Sequence, residues 1–261
     1  MSPADRHRAI RQRIISLSHH AKAAHMGSCL SCVEILDRVL AVSDLSPETA
    51  TSPERDRIIV SKGHAVMAWY AVLEVHGLLA SEVLDDYGQP DGALWAHVST
   101  TPHAPAIDVS TGALGHGLAI GNGFALAARL QNRPHRTFVV MSDGECDEGS
   151  VWEAALFAGH HKLNSLTAVV DFNHWQSLGR VSEVIDLAPF ADKWQAFGWQ
   201  VHEVDGHDPH QLDAALAAPC NRPKAIIADT VKGKGLARIE DTLASHYKPA
   251  LAEDLQTRGA N

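Results

Sequence analysis

The chain has 261 residues, 45% of them apolar and 20% charged, and 22 Lys plus Arg against 31 Asp plus Glu leave a formal charge of −9. That composition excludes a mainly disordered chain and argues against nucleic-acid binding, which calls for a basic face. No run of about 18 apolar residues is present to span a membrane, and the charged residues 1–13 lack the apolar stretch of a secretory signal. Cys29, Cys32, Cys146 and Cys220, in a chain without such a signal, read as reduced cytoplasmic thiols. Cys29 and Cys32 form a C-x-x-C with no second pair to complete a zinc site, so structural thiols are expected.

Ser2-Pro3 predicts the capped start of a helix reaching about residue 23. Ser31-x-x-Glu34 reads as a capping box opening a second helix, with Val33, Ile35, Leu36, Val39 and Leu40 as its apolar stripe. A polar loop fills 43–56. Residues 57–60 form a short buried strand, Ser61-Lys62-Gly63-His64 follows, and 65–75 is an apolar helix. Residues 88–112 read as a long functional loop, and 115–130 as a Gly/Ala-rich helix. Strands at 137–141, 166–171, 199–204 and 224–229 then alternate with helices at 149–161, 189–197 and 209–217. Apolar strands alternating with helices predict one α/β domain over 1–261, a parallel sheet covered on both faces behind a helical N-terminal lead.

Ligands of such sheets bind beyond the carboxyl ends of the strands. Four unusual segments fall there: Ser61-Lys62-Gly63-His64, Ser142-Asp143-Gly144-Glu145, Asp171-Phe172-Asn173 and Asp205-Gly206-His207. Asp143 and Asn173 lie 30 residues apart (173 − 143), one strand–helix–strand step. A carboxylate and an amide oxygen suit Mg²⁺ or Ca²⁺, Gly144 admits a phosphate, and the next helix start favours an anion. Spacing alone leaves open a simple turn and helix cap. Thr111-Gly112-Ala113-Leu114-Gly115-His116-Gly117 exposes backbone groups to a ligand, but its spacing is not that of a dinucleotide fingerprint. The acids Asp143, Glu145, Asp147 and Glu148 read mostly as a solvated loop or helix start. Lys232-Gly233-Lys234-Gly235 reads either as a phosphate site or as the cap of the last strand.

Taken together these segments resemble the N-terminal, diphosphate-binding part of transketolase. Five match in order: Ala24-His25-Met26-Gly27; Ser61-Lys62-Gly63-His64-Ala65; the 111–117 segment; Ser142-Asp143-Gly144 with Glu148-Gly149; and Asp171-Phe172-Asn173. The resemblance implies a thiamine-diphosphate-binding fold in which Asp143, Asn173 and the backbone carbonyl of Trp175 hold Mg²⁺ (or Ca²⁺ or Mn²⁺ in its place) on the cofactor's diphosphate. Gly144 would lie against that diphosphate, and Gly112 and Leu114 would meet the aminopyrimidine. His25, His64, His97 and His246 would face the thiazolium and orient or protonate a sugar or sugar phosphate, with His64 also near the cofactor. Glu148 would sit where two cofactor-binding domains meet.

The reaction implied is transfer of a two-carbon ketol unit from a ketose to an aldose acceptor. Three positions depart from the family: Ser142 stands where it has Gly, Met26 where Pro often follows the first histidine, and Val98-Ser99 after His97. A chain of 261 residues cannot also hold the pyrimidine-binding and C-terminal domains. The resemblance therefore implies one subunit of a split transketolase, completed by a chain bearing the pyrimidine-binding domain, in an α₂β₂ assembly in the cytoplasm. The rival readings are the α chain of a 2-oxo acid dehydrogenase, a deoxyxylulose phosphate synthase, a non-catalytic scaffold, and a Mg²⁺ phosphohydrolase using Asp143 and Asp171.

Overall fold

The computed structural model describes residues 1–256, so the end of the expected 1–261 domain, residues 257–261, lies outside the described residues. Helix α1 (Pro3–Ala21) starts as expected: the Ser2 hydroxyl accepts from the Asp5 N–H at 3.2 Å and Pro3 sits in the first turn. The capping box at Ser31 does not form. The chain is already helical in α2 (Met26–Ser31), breaks at Cys32 and resumes in α3 (Val33–Val42). The Ser31 hydroxyl donates to Asp171 at 2.7 Å, and Glu34 takes Arg11 at 2.8 Å and His207 at 3.1 Å. Partners remote in sequence thus outcompete the local cap. The stripe of α3 is buried as the spacing requires.

Strand β1 (Arg57–Val60) leads into α4 (Val66–Val75) and the short α5 (Ser81–Asp85); residues 88–112 carry neither helix nor strand. Helix α6 (Gly117–Leu130) begins two residues later than the composition suggests, because Gly115 is held at φ 84°, outside the helical region. Then follow β2 (Thr137–Ser142), α7 (Gly149–His160), β3 (Leu166–Phe172), α8 (Val181–Val184), α9 (Phe190–Ala196), β4 (Gln200–Asp205), α10 (Pro209–Ala217), β5 (Lys224–Asp229) and α11 (Ala244–Tyr247).

The five strands form one parallel sheet in the order β1-β2-β3-β5-β4. Alternate residues feed two cores. Ile58, Val60, Phe138, Val140, Val169 and Ile226 face α1–α4 and α10, while Ile59, Val139, Met141, Leu166, Val170 and Ile227 face α6, α7 and α9. Each such side chain contributes about 1.5–3 kcal/mol by burial. The step back from β4 to β5, through α10, crosses on the opposite face to α6, α7 and α9, the helices that lead into β2, β3 and β4, as crossovers of one handedness demand. Edge strand β4 is only half-buried. In register, Ser142 pairs with Asp171 and Phe172 with Asp229, so β2, β3 and β5 end at one level. That level carries the candidate site.

Candidate active site

Asp143 follows the tip of β2 and is fully buried. Its carboxylate accepts from the backbone N–H of Gly144 at 2.8 Å and of His174 at 2.5 Å. Burial, with the negative charge of Asp171 beside it, pushes its pKa up to about 7. Among the described residues no cationic side chain bonds it, so it is a buried carboxylate short of positive charge. Asn173, also buried, gives its amide N–H to Asp171 at 3.0 Å, leaving its oxygen for the Trp175 N–H at 3.2 Å and for a ligand. Among the described residues no group of three or more His, Cys, Asp or Glu could hold a metal. A cation here must therefore take amide and carbonyl oxygens beside the one carboxylate. Asp143, Asn173 and the Trp175 carbonyl are such a hard-oxygen set, and a divalent cation fits them.

A cluster that sequence reading missed lies beneath. Lys62 and Asp171 are both fully buried and ion-paired. Asp171 also accepts from Ser31 at 2.7 Å, Asn173 at 3.0 Å and Thr230 at 2.5 Å. Burial alone would raise the Asp171 pKa, but Lys62 and these donors outweigh it and hold the carboxyl below its usual range. Asp171 is therefore saturated with protein donors and is not a partner for Asp143 in binding metal.

Glu145 corrects the reading of a solvated acidic loop: it is fully buried. It accepts from the Ser61 hydroxyl, from Gly115 N–H at 2.9 Å and from Ser142 N–H at 3.4 Å. The Ser61 oxygen in turn accepts from Gly117 N–H at 3.1 Å. One buried carboxylate thus ties the glycine loop to the tips of β1 and β2. The Ser142 hydroxyl accepts from Glu145 N–H at 3.3 Å, so this departure from the family caps a turn.

The four histidines converge. Ring centroids lie 5.3 Å apart for His25–His64, 6.3 Å for His25–His97, 4.7 Å for His25–His246 and 5.9 Å for His64–His246. His25 sits at φ 66° and its N–H donates to the His246 carbonyl at 2.9 Å, which fastens the C-terminal segment over α2. Burial and neighbouring charge lower three of them: His25 beside His97, His64 well down beside Lys62, and His246 to about 4 beside Lys232. All three are neutral imidazoles at pH 7.

Gly112 belongs to the same surface, since a Cβ there would stand 2.9 Å from the His97 ring. Leu114 is half-buried in that loop, and Glu148 is exposed at the start of α7. A Cβ on Gly144 would meet that of Gln176 at 2.9 Å, so only glycine leaves the loop after Asn173 in place. Lys232, left open between two readings, is buried with its ammonium 3.4 Å from the Trp175 carbonyl and 3.4 Å from His246 Nδ1. Burial and the charge of Lys62 lower its pKa to about 8. Lys234 lies outside this group, its carbonyl accepting from Arg11 at 3.2 Å. Among the described cysteines all are free, and burial pushes the Cys29 thiol up to about 11.

A doubly covered parallel sheet whose adjacent tips present a carboxylate, an amide and a glycine defines an α/β domain with its candidate ligand site at the strand tips. The chain belongs to the transketolase family: residues 4–259 match the family described as transketolase, thiamine diphosphate binding domain. It is 36% identical over 250 residues to a subunit of the apulose-4-phosphate transketolase of Phocaeicola vulgatus, covering 94% of this chain and 88% of that one. It is 38% identical over 248 residues to the 6-deoxy-6-sulfo-D-fructose transketolase subunit SqwG of a Clostridium species, covering 90% of each. The solved transketolase of Leishmania mexicana superposes with a TM-score of 0.89 at 28% identity, over 99% of this chain and 41% of that one. The chain thus spans about two fifths of that solved transketolase.

Proposed function

We propose that this chain forms a single domain over 1–261 and is the diphosphate-binding subunit of a two-subunit transketolase that moves a two-carbon ketol unit from a ketose or ketose phosphate to an aldose. The observation that carries this reading is the pairing of an uncompensated buried carboxylate, Asp143, with Asn173 at neighbouring strand tips, beside four convergent histidines. Relatives named as transketolase subunits match this chain along 88–90% of their own length, which supports the split arrangement. When bound, thiamine diphosphate supplies the carbanion and electron sink for breaking and making the carbon–carbon bond.

In this reading Asp143, Asn173 and the Trp175 carbonyl hold Mg²⁺, and Gly144 lets the diphosphate close on the backbone. Gly112 and Leu114 form the aminopyrimidine wall. His25, His64 and His246, neutral at pH 7, act as hydrogen-bond donors and acceptors to sugar hydroxyl and carbonyl oxygens, with His97 at the rim. They can accept a proton at a ring nitrogen but do not enter as standing acids. The partner is a chain with the pyrimidine-binding domain, and the assembly is α₂β₂ in the cytoplasm. Glu148 faces the second cofactor-binding domain, and Leu130, Leu156 and Phe157 are exposed apolar residues further along α6 and α7.

The test is reconstitution with that partner. Ketol transfer is expected only from the mixture, with heat of thiamine diphosphate binding that requires Mg²⁺. Full turnover by the lone chain, or metal-independent binding, would overturn the reading.

A further inference from the structure

Residues 174–180, directly after Asn173, form a small tongue. Trp175 and Arg180 make an isolated antiparallel bridge, Gln176 N–H donates to the Gly179 carbonyl at 3.0 Å, and Val181 N–H donates to the His174 carbonyl at 3.0 Å. Its inner side rests on the proposed diphosphate site. His174 N–H reaches Asp143, Gln176 donates to Asp147 at 2.8 Å, and the Gln176 Cβ lies over Gly144. Its outer side is fastened to the segment that ends in His246. Asp241 takes Trp175 Nε1 on one carboxylate oxygen and Arg180 Nη2 on the other, each at 2.7 Å. The Arg180 guanidinium lies 4.4 Å from the Trp175 ring centroid, closing a triangle of three side chains. The Tyr247 hydroxyl adds a bond to the Ser177 carbonyl at 2.6 Å.

A lone exposed ion pair contributes little. Here one carboxylate bridges an indole and a guanidinium that also stack on each other, so the three hold a single geometry. Asp241 itself sits at φ 51°, a left-handed conformation that Asp and Asn adopt more readily than other side chains. Asp241 is exposed, and its own N–H donates to the Lys232 carbonyl at 2.8 Å.

We infer that Asp241 is a positioning residue: by clasping Trp175 and Arg180 it sets the tongue, and with it the Trp175 carbonyl, against the metal-bound diphosphate, and ties that carbonyl to the segment carrying His246. The inference rests on the proposed role of the Trp175 carbonyl. Asp241 touches neither cofactor nor sugar and acts through the loop it holds.

The variant Asp241→Asn keeps the shape and the backbone preference but replaces one acceptor with an amide donor. Limited trypsin digestion of the full chain without ligand reads the clasp directly. Cleavage after Arg180 is expected to rise about fivefold to tenfold, while cleavage after the exposed Lys22 holds. Trp175→Phe, which keeps the ring and removes the indole N–H, should move cleavage the same way. In the assembled enzyme, calorimetric titration with Mg²⁺ at saturating thiamine diphosphate should show affinity about tenfold weaker for Asp241→Asn. The KM for cofactor should rise while the KM for sugar and kcat at saturating cofactor hold. Unchanged cleavage overturns the clasp, and faster cleavage with unchanged Mg²⁺ affinity overturns the positioning role. A wild-type complex that binds no Mg²⁺ sinks the proposed function instead, and the cleavage result still decides the clasp.

Discussion

Replacing Lys62 by Met removes the positive charge paired with Asp171 at a site where both side chains are fully buried. Three neutral donors remain, Ser31, Asn173 and Thr230, but the charge is left without a counterion. The bond from the Lys62 ammonium to the Ser28 carbonyl at 3.0 Å is lost as well. Stranding one member of a buried pair costs about 3–5 kcal/mol, and screening does not reduce it here because neither group meets water. In the wild type, Asp171 is held below its usual range. It therefore stabilises above the unfolded carboxylate pKa of about 3.9 and loses that contribution only in strong acid. In Lys62→Met, burial dominates and raises that pKa, so the charged form costs stability and protonation relieves it. Urea unfolding should show the full penalty at pH 7 and a smaller one at pH 5, shrinking by up to about 1.4 kcal/mol per pH unit. Asp171→Asn should also destabilise, and the double variant by about 2–3 kcal/mol less than the sum of the singles. Additivity within about 0.5 kcal/mol, or a penalty independent of pH, would refute the coupled-charge account.

Asp143→Asn should stabilise the metal-free chain at pH 7. With its folded pKa near 7, wild-type Asp143 costs stability above its unfolded value, by roughly 1.4 kcal/mol per pH unit until it ionises. The gain, read by urea midpoints, should grow from pH 5 to pH 7, while Mg²⁺-dependent cofactor binding falls at least about a hundredfold. Gly144→Ala places a Cβ 2.9 Å from that of Gln176, so the tongue must shift. Cofactor affinity measured by calorimetry should fall about tenfold, overpacking costing about 1–3 kcal/mol. Glu145→Gln turns a donor toward Ser61, Gly115 or Ser142, all of which already donate to this residue. Chemical denaturation should show a loss of about 1–3 kcal/mol.

The strands of the sheet were legible because continuous apolar runs bounded by polar tips leave few other readings, and the register put Asp143 and Asn173 where a 30-residue step suggested. The histidines were legible only through resemblance, since nothing local distinguishes His25 or His246 from the rest of the 17. What stayed hidden was set by partners far along the chain. Lys62 finds Asp171 across 109 residues and Ser31 finds it across 140. Glu145 is buried because Ser61 and Gly115 close over it. An acid-rich run or a capping motif reports local preference, and a buried donor from another element overrides it.

The thiols of Cys29, Cys32 and Cys146 are enclosed, and burial keeps them protonated. For Cys29, whose thiol is pushed up to about 11, the reactive thiolate is a small minority at pH 7. Cys220 is the only partly accessible one of the four. A maleimide dye added to native material therefore lands at a single address, Cys220, which bonds the Asn164 carbonyl just before β3 and so lies at the end of the sheet opposite the strand tips. That gives a ready handle for following assembly by energy transfer without engineering the chain.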